Sequence, residues 1–306
     1  MPEIFVNLKR FDISKKLGGL CPFENPIKWI EDVIDKSVQL GLGEMEGLTL
    51  TYLLPEGLIP SASRKLADSP KEKTTGIHIG SQGVHWEDVS PGGNFGAFTT
   101  SLPASAAKTL GSTWSIIGHS EERKAKMQII KAYDSENLEK VSVAINNLVN
   151  SEVHCALNAG LNVLLCVGES AEERGEGNFA EQKPRIEAVL KTQIISNLNG
   201  VGQIQNNKKI VIGYEPIWAI GPGKTPPGKD YISFVSSYIQ KVIEENFDFS
   251  TIIVYGGGLK EENANMIGSI ESIGGGLVAL TRFTGDIGFD VPGLKGIIES
   301  YPNPSY

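Results

Sequence analysis

The chain has 306 residues, a formal net charge of −8, 40% hydrophobic residues and 35 glycines, and none of its apolar runs approaches the roughly 18 residues that a membrane span needs. The acidic balance and the lack of a basic stripe argue against nucleic acid as a partner, because the one candidate run, 121–126, is mixed in sign. Three scattered cysteines, Cys21, Cys155 and Cys166, form no CxxC pair, and an N-terminus with charges where a secretory signal is apolar predicts a cytoplasmic protein with no membrane partner.

Eight short apolar runs follow one another at 4–9, 48–54, 76–83, 114–120, 162–170, 209–218, 251–257 and 275–280. They are near-continuous rather than alternating, as strands buried on both faces of a parallel sheet are. Helical segments separate them. Asn25 and Pro26 make an N-cap and first turn ahead of Ile27, Ile30, Val33, Ile34 and Val38, with Gly41 as the stop. Segments 138–157, 184–198 and 230–246 each carry one apolar stripe. Strands and helices alternating without a composition break predict one closed (β/α)8 barrel spanning 1–306, an α/β fold with a single domain. Segments 12–23 and 123–136 read as long loops, a class that tends to be functional or mobile.

In such barrels the chemistry sits at the C-terminal ends of the strands. The first run ends Asn7-Leu8-Lys9, whose i, i+2 spacing places both polar side chains on one strand face; Lys9 is either a surface lysine or a cation at the barrel mouth. The fourth ends Gly118-His119-Ser120-Glu121, where Ser120 is read as a helix cap and His119 stands near a positive helix end that disfavours the imidazolium; a structural histidine is the other reading. The sixth places Glu215 before Pro216-Ile217-Trp218-Ala219-Ile220-Gly221, a carboxylate beside a hinged lid at about 216–225, or else a glutamate capping an ordinary loop. After the seventh, Gly256-Gly257-Gly258 offers backbone amides to an anion.

The blocks Asn7-Leu8-Lys9, Gly96-Ala97-Phe98-Thr99, Ile116 to Glu121, Cys166-Val167-Gly168-Glu169, Tyr214 to Thr225 and Tyr255-Gly256-Gly257 together resemble the triosephosphate isomerase family, in the same order along nearly the whole chain. That resemblance implies interconversion of dihydroxyacetone phosphate and D-glyceraldehyde 3-phosphate through an enediolate, with no metal and no organic cofactor. It implies Glu215 as the base, neutral His119 as the group polarising the carbonyl, Lys9 as fixed positive charge, Asn7 orienting lysine and substrate, and Glu121 as a supporting carboxylate. The family is a standing example of a glutamate base paired with a neutral histidine.

The eighth run departs from the family pattern. Leu277-Val278-Ala279-Leu280-Thr281-Arg282 replaces a glycine pair that gives amides to phosphate, and Gly258 replaces a serine. Amides at Gly221, Gly258, Ala279 and Leu280 are the expected anion contacts, with Arg282 either a substitute cation or a surface residue. The change leaves open a related substrate such as a four-carbon ketose phosphate, and a non-catalytic sugar-phosphate-binding barrel. Insertion of 90–94 remodels the loop that in the family reaches into a partner subunit, with a homodimer still expected.

Overall fold

The structure, a computed structural model, describes residues 2–133, 138–203, 208–221 and 223–302. Its strands are β1 (Glu3–Asn7), β2 (Thr49–Leu54), β3 (Ile77–Ser81), β4 (Trp114–Ile117), β5 (Asn162–Val167), β6 (Ile210–Tyr214), β7 (Ile252–Tyr255) and β8 (Gly275–Val278). All neighbours pair in parallel, and β8 returns to β1 to close the ring, so the observed architecture is the expected (β/α)8 barrel. Its helices are α1 (Pro26–Gln39), α2 (Ile59–Ala67), α3 (Ala104–Thr109), α4 (Ser120–Tyr133), α5 (Leu138–Asn158), α6 (Ala171–Arg174), α7 (Phe179–Asn197), α8 (Lys229–Asn246), α9 (Glu261–Gly268) and α10 (Val291–Ser300). Among the described residues no helix is long and apolar enough to cross a membrane.

Phe5, Leu53, Trp114, Ile116, Leu164, Cys166, Val211, Val254 and Leu277 form the core cluster inside the barrel, with Phe5 and Trp114 packed edge to face at 5.0 Å. A larger shell of aliphatic residues joins the outer faces of the strands to the helices. Closure needs a bare backbone at one point: a Cβ on Gly275 would lie 2.0 Å from the Glu3 carbonyl oxygen. Helix α1 follows its sequence signals, since Asn25 Oδ1 accepts the Ile27 N–H at 2.9 Å and Trp29, Ile30, Val33 and Ile34 are buried.

Where the structure differs from the sequence expectation, the causes are local. Except for β2, which reaches the end of its run at Leu54, the strands end earlier than the apolar runs, because the last residues of those runs leave the ladder. Helix α7 starts at Phe179 rather than 184, because Asn178 and Glu181 form a reciprocal capping box upstream. Residues 123–133, expected as loop, belong to helix α4, while 134–136 lie outside the described residues. Segment 12–23 contains only a 3-10 turn, Lys15–Leu17, and a bridge between Ser14 and Cys21.

Because Trp114 fills the barrel interior, Trp114→Ala is expected to remove about 3–5 kcal/mol of stability. Equilibrium denaturation checks this; a loss below 1 kcal/mol would mean that the barrel interior is not packed as described.

Candidate active site

A cavity of about 770 Å³ opens at the C-terminal mouth of the barrel and is lined by Asn7, Lys9, His119, Glu121, Glu215, Gly221, Gly258 and Ala279, among others. The three groups expected to act together therefore face one space. Each arrives by a different backbone device.

Lys9 does not sit on β1, which stops at Asn7, so the i, i+2 argument for its direction is corrected. It reaches the mouth through a left-handed turn, φ +42°, a conformation unusual for a residue with a side chain. Asn7 stabilises the turn: its Oδ1 accepts the Lys9 N–H at 2.9 Å and a Gln82 Nε2–H at 3.1 Å. Gln82 also reaches the Lys9 carbonyl at 2.8 Å. Gln82 was not anticipated, and its only sequence signal is a polar residue directly after β3. Held in this way, Lys9 Nζ lies 2.6 Å from Glu121 Oε1. Partial burial works to raise the Glu121 carboxyl, but the hydrogen bond and charge of Lys9 outweigh it and hold the group below its ordinary range.

Gly118, at φ +73°, turns the chain out of β4 and presents His119. The Glu121 N–H points at His119 Nδ1 at 3.3 Å, so Nδ1 accepts and the ring proton belongs on Nε2. That Nε2 lies 3.2 Å from Glu215 Oε1. Ser120 was expected to cap α4; instead its hydroxyl donates to Glu215 Oε1 at 3.0 Å and its N–H to Oε2 at 2.9 Å. A nearly fully buried carboxylate is thus satisfied at the N-terminus of α4, where the helix dipole favours negative charge. Gly256 makes room for it, since a Cβ there would come within 2.9 Å of Glu215 Cγ.

Behind the lid, Glu169 at the tip of β5 accepts at Oε1 from Tyr214 (3.0 Å), Trp218 Nε1 (2.8 Å) and Tyr231 (2.7 Å). Burial raises this carboxyl, and the three donors only partly offset it. Arg174 stacks over the Trp218 ring, 3.7 Å from its centroid. The start of the lid is therefore anchored, while 221 and 223–226 are exposed; Pro222, part of the expected lid, lies outside the described residues.

Among the expected anion contacts, Gly221 (φ +121°), Gly258 (φ +94°) and Ala279 line the cavity. The Gly256 amide does not serve, because it donates to the Tyr214 carbonyl at 2.7 Å. Leu280 and Arg282 are not among the lining residues. Arg282 is corrected to a structural role: it donates to Asp290 Oδ2 at 2.7 Å and to the Asp286 carbonyl at 2.9 Å, and its backbone bridges Gly288. The β8–α10 loop folds back on itself and takes the guanidinium with it.

His119 is supported from behind by a second unanticipated set. Arg123, fully buried, donates to the carbonyls of Gly118 (2.7 Å) and Cys166 (3.1 Å) and to Asn146 Oδ1 (3.0 Å). Glu122 Oε2 accepts the Gly118 N–H at 2.7 Å, and Lys126 bridges Glu122 to Glu152 Oε1, the latter at 2.5 Å. Burial, then the Glu122 charge, push Glu152 up to about 9. Glu122 faces the same burial, but the hydrogen bond from the Glu152 carboxyl, then Lys126 and the Gly118 N–H, hold it below its ordinary value. Among the described residues no group of three or more His, Cys, Asp or Glu is placed to hold a metal ion.

Comparison with known proteins places these features in one context. The family profile described as triosephosphate isomerase matches residues 57–284. A triosephosphate isomerase of Alkaliphilus metalliredigens is 38% identical over 206 residues, covering 66% of this chain and 71% of its own length. One from Pelodictyon phaeoclathratiforme is 30% identical over 243 residues, covering 78% and 80%. The crystal structure of a triosephosphate isomerase from Bartonella henselae superposes with a TM-score of 0.61 at 23% identity, over 91% of this chain and 92% of that one, a likeness of fold.

The carboxyl pair behind His119 gives the site a pH signature. Between the ordinary carboxylate value of about 4.3 and about 9, folded Glu152 keeps a proton that the unfolded chain has released. Stability should therefore fall as pH rises through that window and level off above it. Glu152→Gln removes the titration, so the melting temperature of the variant relative to the unsubstituted chain should climb from pH 5 to pH 9. A difference that stays flat or reverses would show that Glu152 is already ionised in the fold.

Proposed function

Because the chain belongs to the triosephosphate isomerase family, we propose that Glu215, His119 and Lys9 act on a single triose phosphate held in the mouth cavity. The reaction is the interconversion of dihydroxyacetone phosphate and D-glyceraldehyde 3-phosphate, and the named relatives favour this substrate over a four-carbon ketose phosphate. One observation carries the assignment of roles: Lys9, Glu121, His119 and Glu215 form an unbroken chain of contacts along one wall of the cavity.

Glu215 removes a proton from the carbon next to the carbonyl, the C–H electron pair moves into an enediolate, and the same carboxyl returns the proton to the neighbouring carbon. His119 donates from Nε2 to the carbonyl oxygen, which displaces its contact with Glu215. Lys9, directed by Glu121, stands beside the oxygen where negative charge develops. Asn7 acts through the backbone of Lys9. Amides at Gly221, Gly258 and Ala279 take the phosphate, and the lid at 216–225 excludes water while the enediolate exists.

The same reading favours a cytoplasmic homodimer. The β3–α3 loop exposes Trp86, Val89 and Phe95, the last 91% accessible, beside a recess of about 460 Å³ that includes Arg10, Gln82 and Glu152. Exposed apolar side chains grouped next to a concave surface suit a second copy of the chain. Light scattering should return twice the 33.0 kDa chain mass, shifting toward the monomer in Phe95→Asp; a monomer throughout would remove this part of the reading. Catalysis has its own test. Glu215→Asp withdraws the carboxylate by about one bond, and a misplacement near 1 Å lowers turnover about 10²-fold. A coupled assay with glyceraldehyde 3-phosphate measures this, and unchanged turnover would remove Glu215 as the base.

A further inference from the structure

The mouth cavity extends well beyond the reacting groups. At about 30 Å³ per heavy atom, the share of one water in the liquid, the roughly ten heavy atoms of a triose phosphate fill less than half of its volume of about 770 Å³. The remainder forms an annexe. Lys124, Met127 and Lys131 of α4 line it together with Val141 and Ile145 of α5, and the lid contributes Ile217 and Ile220. Positions 124, 127 and 131 recur at i, i+3 and i+7, so the three side chains share one face of α4.

Apolar surface and positive charge meet in this annexe. Val141 and Ile145 are buried core residues and give it a fixed floor, whereas Met127, 37% exposed, is an unbranched side chain that adapts to whatever lies against it. Lys124 and Lys131 bracket Met127 about 10 Å apart along the helix axis. Neither forms an ion pair among the described residues, while their neighbour Lys126 is taken by Glu122 and Glu152. The carboxylates of the same lining are engaged elsewhere or exposed: Glu121 is held by Lys9, Glu173 accepts the Ser170 N–H, and Glu172 is exposed on α6. Two uncompensated ammonium groups flanking an apolar hollow complement an anion that carries an apolar body, and that body has no counterpart in a triose phosphate.

We infer that the annexe is a second ligand site, for a free medium-chain carboxylate whose chain lies over Met127, Val141 and Ile145 and whose head is met by Lys124 and Lys131 on their flexible stems. An occupant there also touches Ile217 and Ile220, so it obstructs the lid movement that shuts water out, and its binding slows turnover. The effect on turnover rests on the triose phosphate reading; the binding itself does not.

Octanoate is the probe, titrated calorimetrically into the full chain, with acetate and 1-octanol representing the head and the chain alone. Octanoate should bind at least about tenfold more tightly than either, and combining Lys124→Gln with Lys131→Gln should weaken it on the order of tenfold, whereas Lys124→Arg with Lys131→Arg should keep most of the affinity. With glyceraldehyde 3-phosphate as substrate, octanoate should lower kcat even when substrate is saturating. An octanoate affinity unchanged in the double glutamine variant, or matched by acetate, would overturn the site. Inhibition fully relieved by excess substrate would put octanoate on the catalytic groups and overturn it equally. Dissociation of an oligomer in the double glutamine variant, seen by light scattering, would mean that a second copy covers this face, and the ligand assignment would fall. If the unsubstituted chain turned over no triose phosphate yet bound octanoate through the two lysines, the isomerase reading would fail and the annexe would stand.

Discussion

The resting place of the Glu215 carboxylate governs this site. A carboxylate this deeply buried is unfavourable unless its lone pairs are satisfied, and Ser120 satisfies them twice, through its N–H and its hydroxyl. Those contacts, with His119 Nε2, occupy the oxygens that must reach a substrate carbon. Seating a substrate therefore means trading contacts of similar kind rather than stripping a base of all partners, and such an exchange keeps the barrier to moving the group low. The anchored start of the lid, where Trp218 is tied to Glu169, lies three residues from the same carboxylate, so movement of the lid and movement of the base are coupled through one short segment.

Barrel closure makes that arrangement possible. Strand tips from different parts of the ring deliver Lys9, His119 and Glu215 to a common space; bare backbone at Gly256 leaves room for Glu215, and at Gly118 for the Arg123 guanidinium and the Cys166 carbonyl behind His119. The left-handed turn at Lys9 is the one strained element on this wall. It persists because Asn7 and Gln82 take both ends of the turn, the N–H and the carbonyl. The strain thus sits where direction of the ammonium matters most.

Much of this was legible in the sequence. Eight buried parallel strands read as apolar runs because both of their faces are covered, and polar residues at the ends of such runs stand out against them. Other features were hidden by long sequence separation. The Ser120 to Glu215 contact joins residues 95 apart, and the Lys126 to Glu152 pair joins two helices; neither leaves a local pattern. Only the start of helix α4 was legible, from the Ser120 cap, and the stretch from 123 on was read as a long loop because Lys124, Met127 and Lys131, its cavity-facing residues, give no continuous apolar stripe. Arg282 looked available because the fold-back that captures it depends on a bridge to Gly288, six residues on. Lys9 reaches its expected place by an unexpected path, since a left-handed lysine has no sequence signature comparable to that of glycine.

The claim on which all of this rests is that a carboxylate removes a proton from carbon and hands it to the adjacent carbon, rather than hydrogen passing directly between the two carbons. Turnover of glyceraldehyde 3-phosphate in deuterium oxide, with the dihydroxyacetone phosphate formed analysed by proton NMR, tests it most directly. Deuterium at the carbon that receives the proton, lost along with turnover in Glu215→Gln, is the expected result. Efficient turnover to product carrying no solvent deuterium would contradict proton transfer through an exchangeable carboxyl.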